Sequence, residues 1–425
     1  MLAASTALAF AQAPQQSDTT RHGGSNHEAH RHHGDHDGHR GPQGGPLKNP
    51  FFMDKVFKTF MVKGYAQGGY YYIDKDPKKH SVTPNMIPVP GAPEGTMMPD
   101  PKNPTTVTDH ETSTFDMKRA YIFCQANLTD HFSFWLMYDF CGVFNEYYLE
   151  YKAFKGGQMN FRLGQQKHPF GLENPYSPTK VELIDVYSQA TTYLAGVMDP
   201  LIGVQYGREL GLVMLGDVLQ KKVHYEFALL NGSGINCTDR NNNKDFAGRL
   251  EISPVQKLKV VGSLYNGTGN VINGPYPLLY TRKTLQGAPN ETSTLQPGMN
   301  YDRKRWAVGA EYRTFPMNGP AACDYWDVRP VVLRAEYLAG KDDCYESEGY
   351  YVTGAYPLPK CKFDIVASYD FMNYNKDLDI KQTNIVAGIQ YWVYKQCRIQ
   401  LQYTHCDSEL NGKYNQIQVQ TQVAF

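Results

Sequence analysis

Residues 416–425 read QIQVQTQVAF, a stretch in which apolar side chains and one threonine alternate with glutamines. Successive side chains of a β-strand point to opposite faces of the strand. The stretch therefore predicts a strand with one apolar face and one face that is hydrophilic without being charged. Residues 398–404, RIQLQYT, alternate in the same way, so the pattern is not confined to the end of the chain.

Alternation of this kind predicts sixteen strands along the chain. An even number is what a single-chain outer-membrane barrel requires. The predicted strands are 60–74, 113–127, 132–141, 146–154, 159–167, 207–217, 222–231, 244–253, 258–267, 302–314, 326–339, 344–356, 361–373, 381–393, 397–406 and 414–425.

The connections between these strands differ in length according to their order. The four longest, 75–112, 168–206, 232–243 and 268–301, are all odd-numbered, whereas most even-numbered ones are short. Outer-membrane barrels have this asymmetry, with long external loops and short periplasmic turns. A polar chain rich in tyrosine and glycine also suggests an array of β-sandwiches. Such an array gives no reason for long and short connections to alternate. The connection 315–325 is long for a turn and is an exception.

Composition excludes several classes of protein. The chain has 425 residues with 42 Lys plus Arg and 42 Asp plus Glu, and this zero net charge argues against a nucleic-acid partner. No stretch approaches the ~20 apolar residues of a membrane-spanning helix. The mean hydropathy of −0.51 suits a barrel, because lumen-facing polar residues lower the average. Trp306, Trp326 and Trp392 lie near predicted strand ends, where aromatic belts are expected.

The first fifty residues are predicted to lie outside the barrel. Residues 1–13 are small and apolar and end in Ala-Gln-Ala, which indicates part of a secretory signal peptide. Residues 14–50 have almost no core-forming side chains and are predicted to be a disordered, His-rich tail. Its histidines are His22, His27, His30, His32, His33, His36 and His39.

These histidines leave two interpretations open. Neutral imidazole is a ligand for zinc, copper and nickel, so the tail is a candidate for weak metal binding. Its spacing, HRHHGDHDGH, has no signature of fixed geometry, and a solvated linker is an equal alternative. We expect no other cofactor.

One stretch of the chain resembles a known family. Residues 159–175, MNFRLGQQKHPFGLENP, resemble the R-x-G-Q-x-K-x-P-F-G-x-E segment of the phosphate-selective porin O and P family. Residues 206–211 and 228–252 are similar to the family's next strand and to a loop that follows it, and the resemblance covers most of residues 60–425. The residues that carry the first motif are Arg162, Gly164, Gln165, Lys167, Pro169, Phe170, Gly171 and Glu173.

The resemblance implies a sixteen-stranded barrel, typically trimeric, with one loop folded into the lumen as a constriction. The predicted fold is thus all-β, a sixteen-stranded antiparallel transmembrane β-barrel with long external loops and an inward-folded constriction loop. The connection 168–206 is the longest and is the candidate for that loop. Its middle part is predicted to be a helix with Ser177 as the cap and Pro178 in the first turn. The candidate constriction residues are Lys180, Glu182, Asp185 and Tyr187.

A channel needs a lined lumen, and the alternation assigns a set of basic residues to inward faces. Arginine forks match the oxygens of phosphate and carboxylate, so a row of them predicts a preference for anions such as phosphate. Glutamates such as Glu311 and Glu336 interleave with the arginines and offer ion-pair partners. The candidate pore-lining residues are Arg162, Lys167, Arg208, Arg249, Arg305, Arg313, Arg334 and Arg398.

The sequence therefore predicts an integral protein of the outer membrane of a Gram-negative-type cell that lets small solutes diffuse. It has no G-x-S-x-G, HExxH, P-loop or CxxC pattern, so we expect no enzyme, and its eight cysteines are predicted to be unpaired. The expected partners are outer-membrane lipids, small anionic solutes, two further copies in a trimer, and the barrel assembly machinery, which would recognise the strand ending at Phe425. A metal-binding barrel scaffold and an exported soluble β-repeat protein remain as alternatives.

Overall fold

The alternating segments form one closed sheet. The computed structural model describes residues 57–89, 97–99, 105–273, 279–280, 295–314, 329–394 and 396–425. Sixteen antiparallel strands close into a barrel, in which every strand pairs with its neighbours in the chain and the first pairs with the last. The strands are β1 Thr59–Pro84, β2 Thr105–Asn127, β3 Phe132–Asp139, β4 Phe144–Lys152, β5 Asn160–Lys167, β6 Arg208–Val218, β7 Val223–Leu230, β8 Asp245–Val255, β9 Leu258–Asn270, β10 Asn300–Arg313, β11 Val332–Asp342, β12 Tyr345–Pro357, β13 Phe363–Asn375, β14 Ile380–Tyr394, β15 Cys397–Ser408 and β16 Gly412–Ala424.

The alternation in the sequence corresponds to the two faces of the barrel wall. On β16, Ile417 and Val423 are 43% and 50% exposed on the outer face, whereas Gln420 and Gln422 are 1% and 0% exposed on the inner face. Pairing of Tyr65 on β1 with Ala424 on β16 closes the sheet in this register. The prediction of a sixteen-stranded antiparallel barrel is confirmed, and its apolar face points outward.

The first external connection differs from the prediction. Residues 75–112 were expected to be a loop, but β1 extends to Pro84, β2 begins at Thr105, and the two remain paired with three register shifts. A short ladder, Met86–Pro88 with Met97–Pro99, continues the hairpin. The prediction was wrong because a hairpin that projects beyond the membrane is wetted on both faces, so it shows no apolar alternation.

Several predicted features lie outside the described residues: the signal peptide, the His-rich tail, the connection 315–325, Cys323 and Trp326. The described part of the strand predicted at 326–339 begins at Val332 and extends to Asp342. The seven cysteines in the described ranges form no disulfide. The described part of the chain contains no α-helix with the length and hydropathy of a transmembrane segment.

Candidate functional site in the barrel interior

The connection between β5 and β6, residues 168–207, folds into the barrel; we call it the inner loop. It contains the helix α1, Gln189–Leu194, which packs against β11, β12 and β13. Close approach depends on glycines in the wall: a Cβ atom at Gly349 would lie 2.7 Å from the Cβ atom of Ala190. The prediction of an inward-folded loop therefore has a direct structural counterpart.

The helix of the inner loop is shorter than predicted and begins later. Its N-cap is Ser188, whose hydroxyl accepts the N–H of Thr191 at 3.1 Å. The predicted cap, Ser177, instead lies 3.0 Å from the hydroxyl of Thr179. The helix prediction at residues 177–188 was wrong because the main chain there hydrogen-bonds to side chains of the barrel wall, which a helix would prevent.

Glutamines of β15 and β16 make these bonds. Gln400 donates to the carbonyl oxygen of Glu182 at 3.0 Å, and Gln402 accepts the N–H of Ile184 at 2.9 Å. The wall thus supplies the partners that the irregular segment 178–185 lacks within itself. The hydrophilic, uncharged face seen in the sequence of the last two strands is the face that binds the loop.

Apolar packing joins the inner loop to another part of the wall. Phe170 and Leu194 of the loop lie in one cluster with Leu338 and Met372 of the wall, and all four are at most 1% exposed. Burial of each such side chain contributes ~1.5–3 kcal/mol. The inner loop is therefore an internal part of the folded barrel and shares a hydrophobic core with the wall.

Several of the predicted pore-lining cations bind main-chain carbonyls of the inner loop. A buried, charged donor bound to a carbonyl oxygen is among the stronger hydrogen bonds. The contacts are Arg249 to Gly171 at 2.9 Å, Arg305 to Leu194 at 2.9 Å, Arg398 to Val181 at 2.7 Å, and Lys167 to both Asn174 and Tyr176 at 2.7 Å.

Carboxylates neutralise most of the same set. The shortest pairs are Arg162–Glu150 at 3.1 Å, Arg208–Glu146 at 2.9 Å, Arg249–Glu251 at 2.8 Å, Arg305–Asp342 at 3.0 Å, Arg313–Glu311 at 2.7 Å and Arg334–Glu311 at 2.7 Å. Within the described residues, Arg398 has no carboxylate partner but bonds to Gln390 and stacks on Trp392. These arginines hold the loop and the wall together, and anion binding by them stays a prediction.

Trp392 differs from the expectation of an aromatic belt. Its indole N–H donates to the Asp364 carboxylate at 2.6 Å, and its ring lies under the guanidinium of Arg398. Trp392 therefore points inward, because its partners Asp364 and Arg398 both have inward side chains. Trp306, in contrast, is 45% exposed on the outer face, as predicted.

The four predicted constriction residues have different environments. Glu182 is buried and forms an ion pair with Arg334 at 3.1 Å. The Tyr187 hydroxyl accepts a hydrogen bond from the Lys167 ammonium at 3.0 Å. Asp185 bonds to Lys118 at 3.0 Å, although 46% of its side chain is exposed. Lys180 is exposed and has no ion pair with any described residue. Of the four, Lys180 and Asp185 therefore face open space.

The interior cations that the sequence reasoning missed include buried Arg303, which pairs with Asp199 of the inner loop, and two neighbours on β2. Lys118 and Arg119 are consecutive on β2, yet Lys118 bonds to Asp185 of the inner loop and Arg119 bonds to Gln67 of the inner wall at 2.9 Å. The register shifts here, because Gln67 pairs with Arg119 whereas Gly68 pairs with Met117. This β-bulge turns both side chains inward and breaks the alternation on which the prediction relied.

Two titratable groups of the inner loop are tuned by their burial. Burial, together with Arg303 and Arg305, lowers the pKa of His168 to about 3, so its imidazole stays neutral. Burial also raises the pKa of Glu173, which accepts the N–H of Ser188 at 2.8 Å. Within the described residues no group of side chains has the arrangement of a metal site.

Comparison with known proteins agrees with this architecture. The family model of phosphate-selective porin O and P matches residues 102–425. No curated protein matches the chain by sequence.

Solved structures share the fold at low sequence identity. OprB of Pseudomonas putida has 9% identity and a TM-score of 0.55, covering 88% of this chain and 95% of its own. An anion-selective porin from Comamonas acidovorans has 12% identity and a TM-score of 0.53, covering 86% and 99%. OmpT of Vibrio cholerae has 9% identity and a TM-score of 0.51, covering 90% and 100%. The chain belongs to the phosphate-selective porin O and P family and is an integral porin of the outer membrane.

Proposed function

We propose that this porin lets small solutes diffuse between the inner loop and the wall of β1–β5, with a preference for anions, phosphate among them. The inner loop bonds to wall residues as far apart as Ser263 on β9 and Gln402 on β15. Fewer contacts join it to the other side, where Lys118 and Asp185 keep partly exposed side chains. This distribution supports a passage along β1–β5.

The preference for anions rests on cations that carboxylates do not neutralise. Arg119 bonds to an amide, and Lys180 is exposed on the inner loop; neither has a carboxylate within ion-pair distance among the described residues. An unpaired cation at a narrow place lowers the barrier for anions and raises it for cations. Because the predicted arginines are mostly paired, Arg119 and Lys180 are the observation that carries this proposal.

Reversal potentials in planar bilayers under a KCl gradient test the preference. We expect the wild type to favour chloride and the double variant Arg119→Gln, Lys180→Gln to shift toward potassium. Lys413→Gln is the matched control, because Lys413 is exposed and pairs with Asp407 outside the interior set. Cation preference in the wild type, or an equal shift in the control, would contradict the anion proposal.

Phosphate is tested separately as a competitor of chloride. Inorganic phosphate should reduce the chloride current of the wild type at concentrations that leave the double variant unaffected. Equal reduction in both proteins would leave an anion-preferring porin without selectivity for phosphate.

Assembly and the remaining partners complete the proposal. We propose a homotrimer embedded in outer-membrane lipids and inserted by the barrel assembly machinery through the strand that ends at Phe425, with a transport role and no catalysis. Native mass spectrometry in detergent tests the trimer, and a monomer at all concentrations would refute it. Deletion of Phe425 should lower the amount of barrel in the outer membrane.

A second function is proposed for the His-rich tail, whose seven histidines suit zinc, copper or nickel. Calorimetric titration of the whole protein with zinc should give heat that is lost when the seven histidines are replaced by asparagine. Affinity weaker than millimolar would leave the tail as a linker.

A further inference from the structure

The inner wall of β2–β5 carries a row of aromatic rings. Phe123 on β2 and Trp135 on β3 have ring centroids 5.3 Å apart and planes at 28°. Trp135 and Tyr148 on β4 are 6.3 Å apart with planes at 17°. The guanidinium of Arg162 on β5 lies 5.0 Å from the centre of the Tyr148 ring. Four neighbouring strands thus contribute to one continuous row; we call Phe123, Trp135 and Tyr148 the aromatic row.

Register places the aromatic row on the inner face. Trp135 lies opposite Tyr148, and the residue that follows Tyr148, Leu149, is 58% exposed on the outer face. Phe123 lies opposite Lys63 on β1, and Lys63 shares a face of β1 with the inward Tyr65, two residues further along. All three rings are only partly buried.

Among the described residues, no hydrogen bond or ring contact joins the aromatic row to the inner loop. Phe123 and Trp135 pack on a cluster of Tyr65, Tyr121 and Met137, and this cluster contains no residue of the loop. The inward side chains of β6–β13, in contrast, are covered by loop residues such as Phe170. The aromatic row therefore borders the passage assigned above.

A cation stands at one end of the row. Lys63 is exposed, lies directly opposite Phe123, and has no ion pair with any described residue. At the other end, Arg162 is paired with Glu150. The row thus offers stacking surfaces with one uncompensated positive charge beside them.

We propose that the aromatic row is a binding track for small aromatic carboxylates. A flat ring stacks on Phe123, Trp135 or Tyr148, while the carboxylate binds the ammonium of Lys63. Inorganic phosphate has no flat apolar face and gains nothing from the rings. The inference rests on the proposed diffusion function and specifies the class of solute for the same passage.

The test compares benzoate with cyclohexanecarboxylate, which has the same charge and ring size but no π face. Each is added to wild-type channels in planar bilayers, and the concentration that halves the KCl current is measured. Benzoate should block at about 5-fold lower concentration, the effect expected of one aromatic contact. Lys63→Gln should weaken the block by both carboxylates.

A pair of tryptophan variants localises the effect. Trp135→Leu should raise the half-blocking concentration of benzoate by about 5-fold and leave that of cyclohexanecarboxylate unchanged. Trp306→Leu is the matched control, because Trp306 is 45% exposed on the outer face. If Trp135→Leu does not fold, Tyr148→Leu replaces it.

The outcomes separate this inference from the proposed function. Absence of KCl conductance in the wild type refutes the diffusion function itself. Normal conductance with equal block by the two carboxylates, or benzoate block that survives both aromatic variants, overturns the inference alone. Block by maltose at the same concentration as benzoate would assign the row to sugars and also overturn it.

Discussion

The two sides of the barrel interior differ in what their side chains bind. On β6–β16, inward residues contact the inner loop: Leu338 packs on it, and Gln402 and Arg398 hydrogen-bond to its main chain. On β1–β5, Gln67, Lys118 and Lys167 bond to the loop, whereas Phe123 and Trp135 contact mainly other wall residues. Strands with the same alternation therefore carry inward residues that hold the loop and inward residues that border the proposed passage. The course of one loop decides which is which.

The largest expected effect tests the loop-bound side. Arg334→Leu removes the ion-pair partner of Glu182 and one of the two partners of Glu311, which keeps Arg313. Leaving the buried Glu182 carboxylate unpaired should lower the free energy of unfolding by ~3–5 kcal/mol, measured by urea unfolding in detergent. Arg313→Leu, which has the more exposed side chain of the same cluster, should cost clearly less. Equal losses of unfolding free energy in the two variants would show that burial of the arginine against the loop does not determine the loss.

The next effect concerns the apolar core of the inner loop. Leu194→Ala opens a cavity between α1 and the wall, where Leu194 is 1% exposed, and should cost ~2–5 kcal/mol. Because the helix loosens, the open-channel current should also become noisier. Leu163→Ala, on the outer face at 60% exposure, leaves no enclosed cavity and should change neither quantity comparably. A quiet, fully stable Leu194→Ala channel would show that the loop is held without this cluster.

The smallest effect is the pH dependence from His168. Its pKa is lowered to about 3 by burial, so the folded protein keeps it neutral while the unfolded chain binds a proton below ~6.5. Stability should therefore fall as the pH drops from ~6.5 to ~5, by ~2 kcal/mol. His168→Gln should flatten this part of the curve of stability against pH, measured by urea unfolding. Glu173 has a raised pKa, which changes stability in the opposite direction, but its contribution is the same in both proteins. Parallel curves would show that His168 is accessible to protons.

The strands could be predicted because their signal is local. Residues 416–425 alternate strictly, and each outward or inward position there agrees with the structure. The interior could be predicted only in part. Arg334 and Arg398 were placed on the inner face by alternation, but their partners, Glu182 and Val181, are more than 150 residues away in the chain. Such pairings follow from the course of the loop and leave no local pattern.

Two misassigned features have specific physical causes. Arg119 was missed because the bulge at Lys118 reverses the faces of β2. A serine before a proline is a common start of a helix, so the sequence predicts Ser177 as a cap, yet the carbonyl of Pro178 accepts a bond from Gln67. Long-range side-chain bonds overrode local preference in this loop.

The most direct test of a passage along β1–β5 uses two isosteric changes from glutamine to glutamate. Gln125 lies opposite Trp135 on the inner wall and is partly exposed, whereas Gln420 lies on the inner wall of β16 and is 1% exposed. Both variants are reconstituted in planar bilayers, and reversal potentials are measured under a KCl gradient. We predict that Gln125→Glu shifts the selectivity toward potassium and that Gln420→Glu does not. A larger shift in Gln420→Glu would contradict the account.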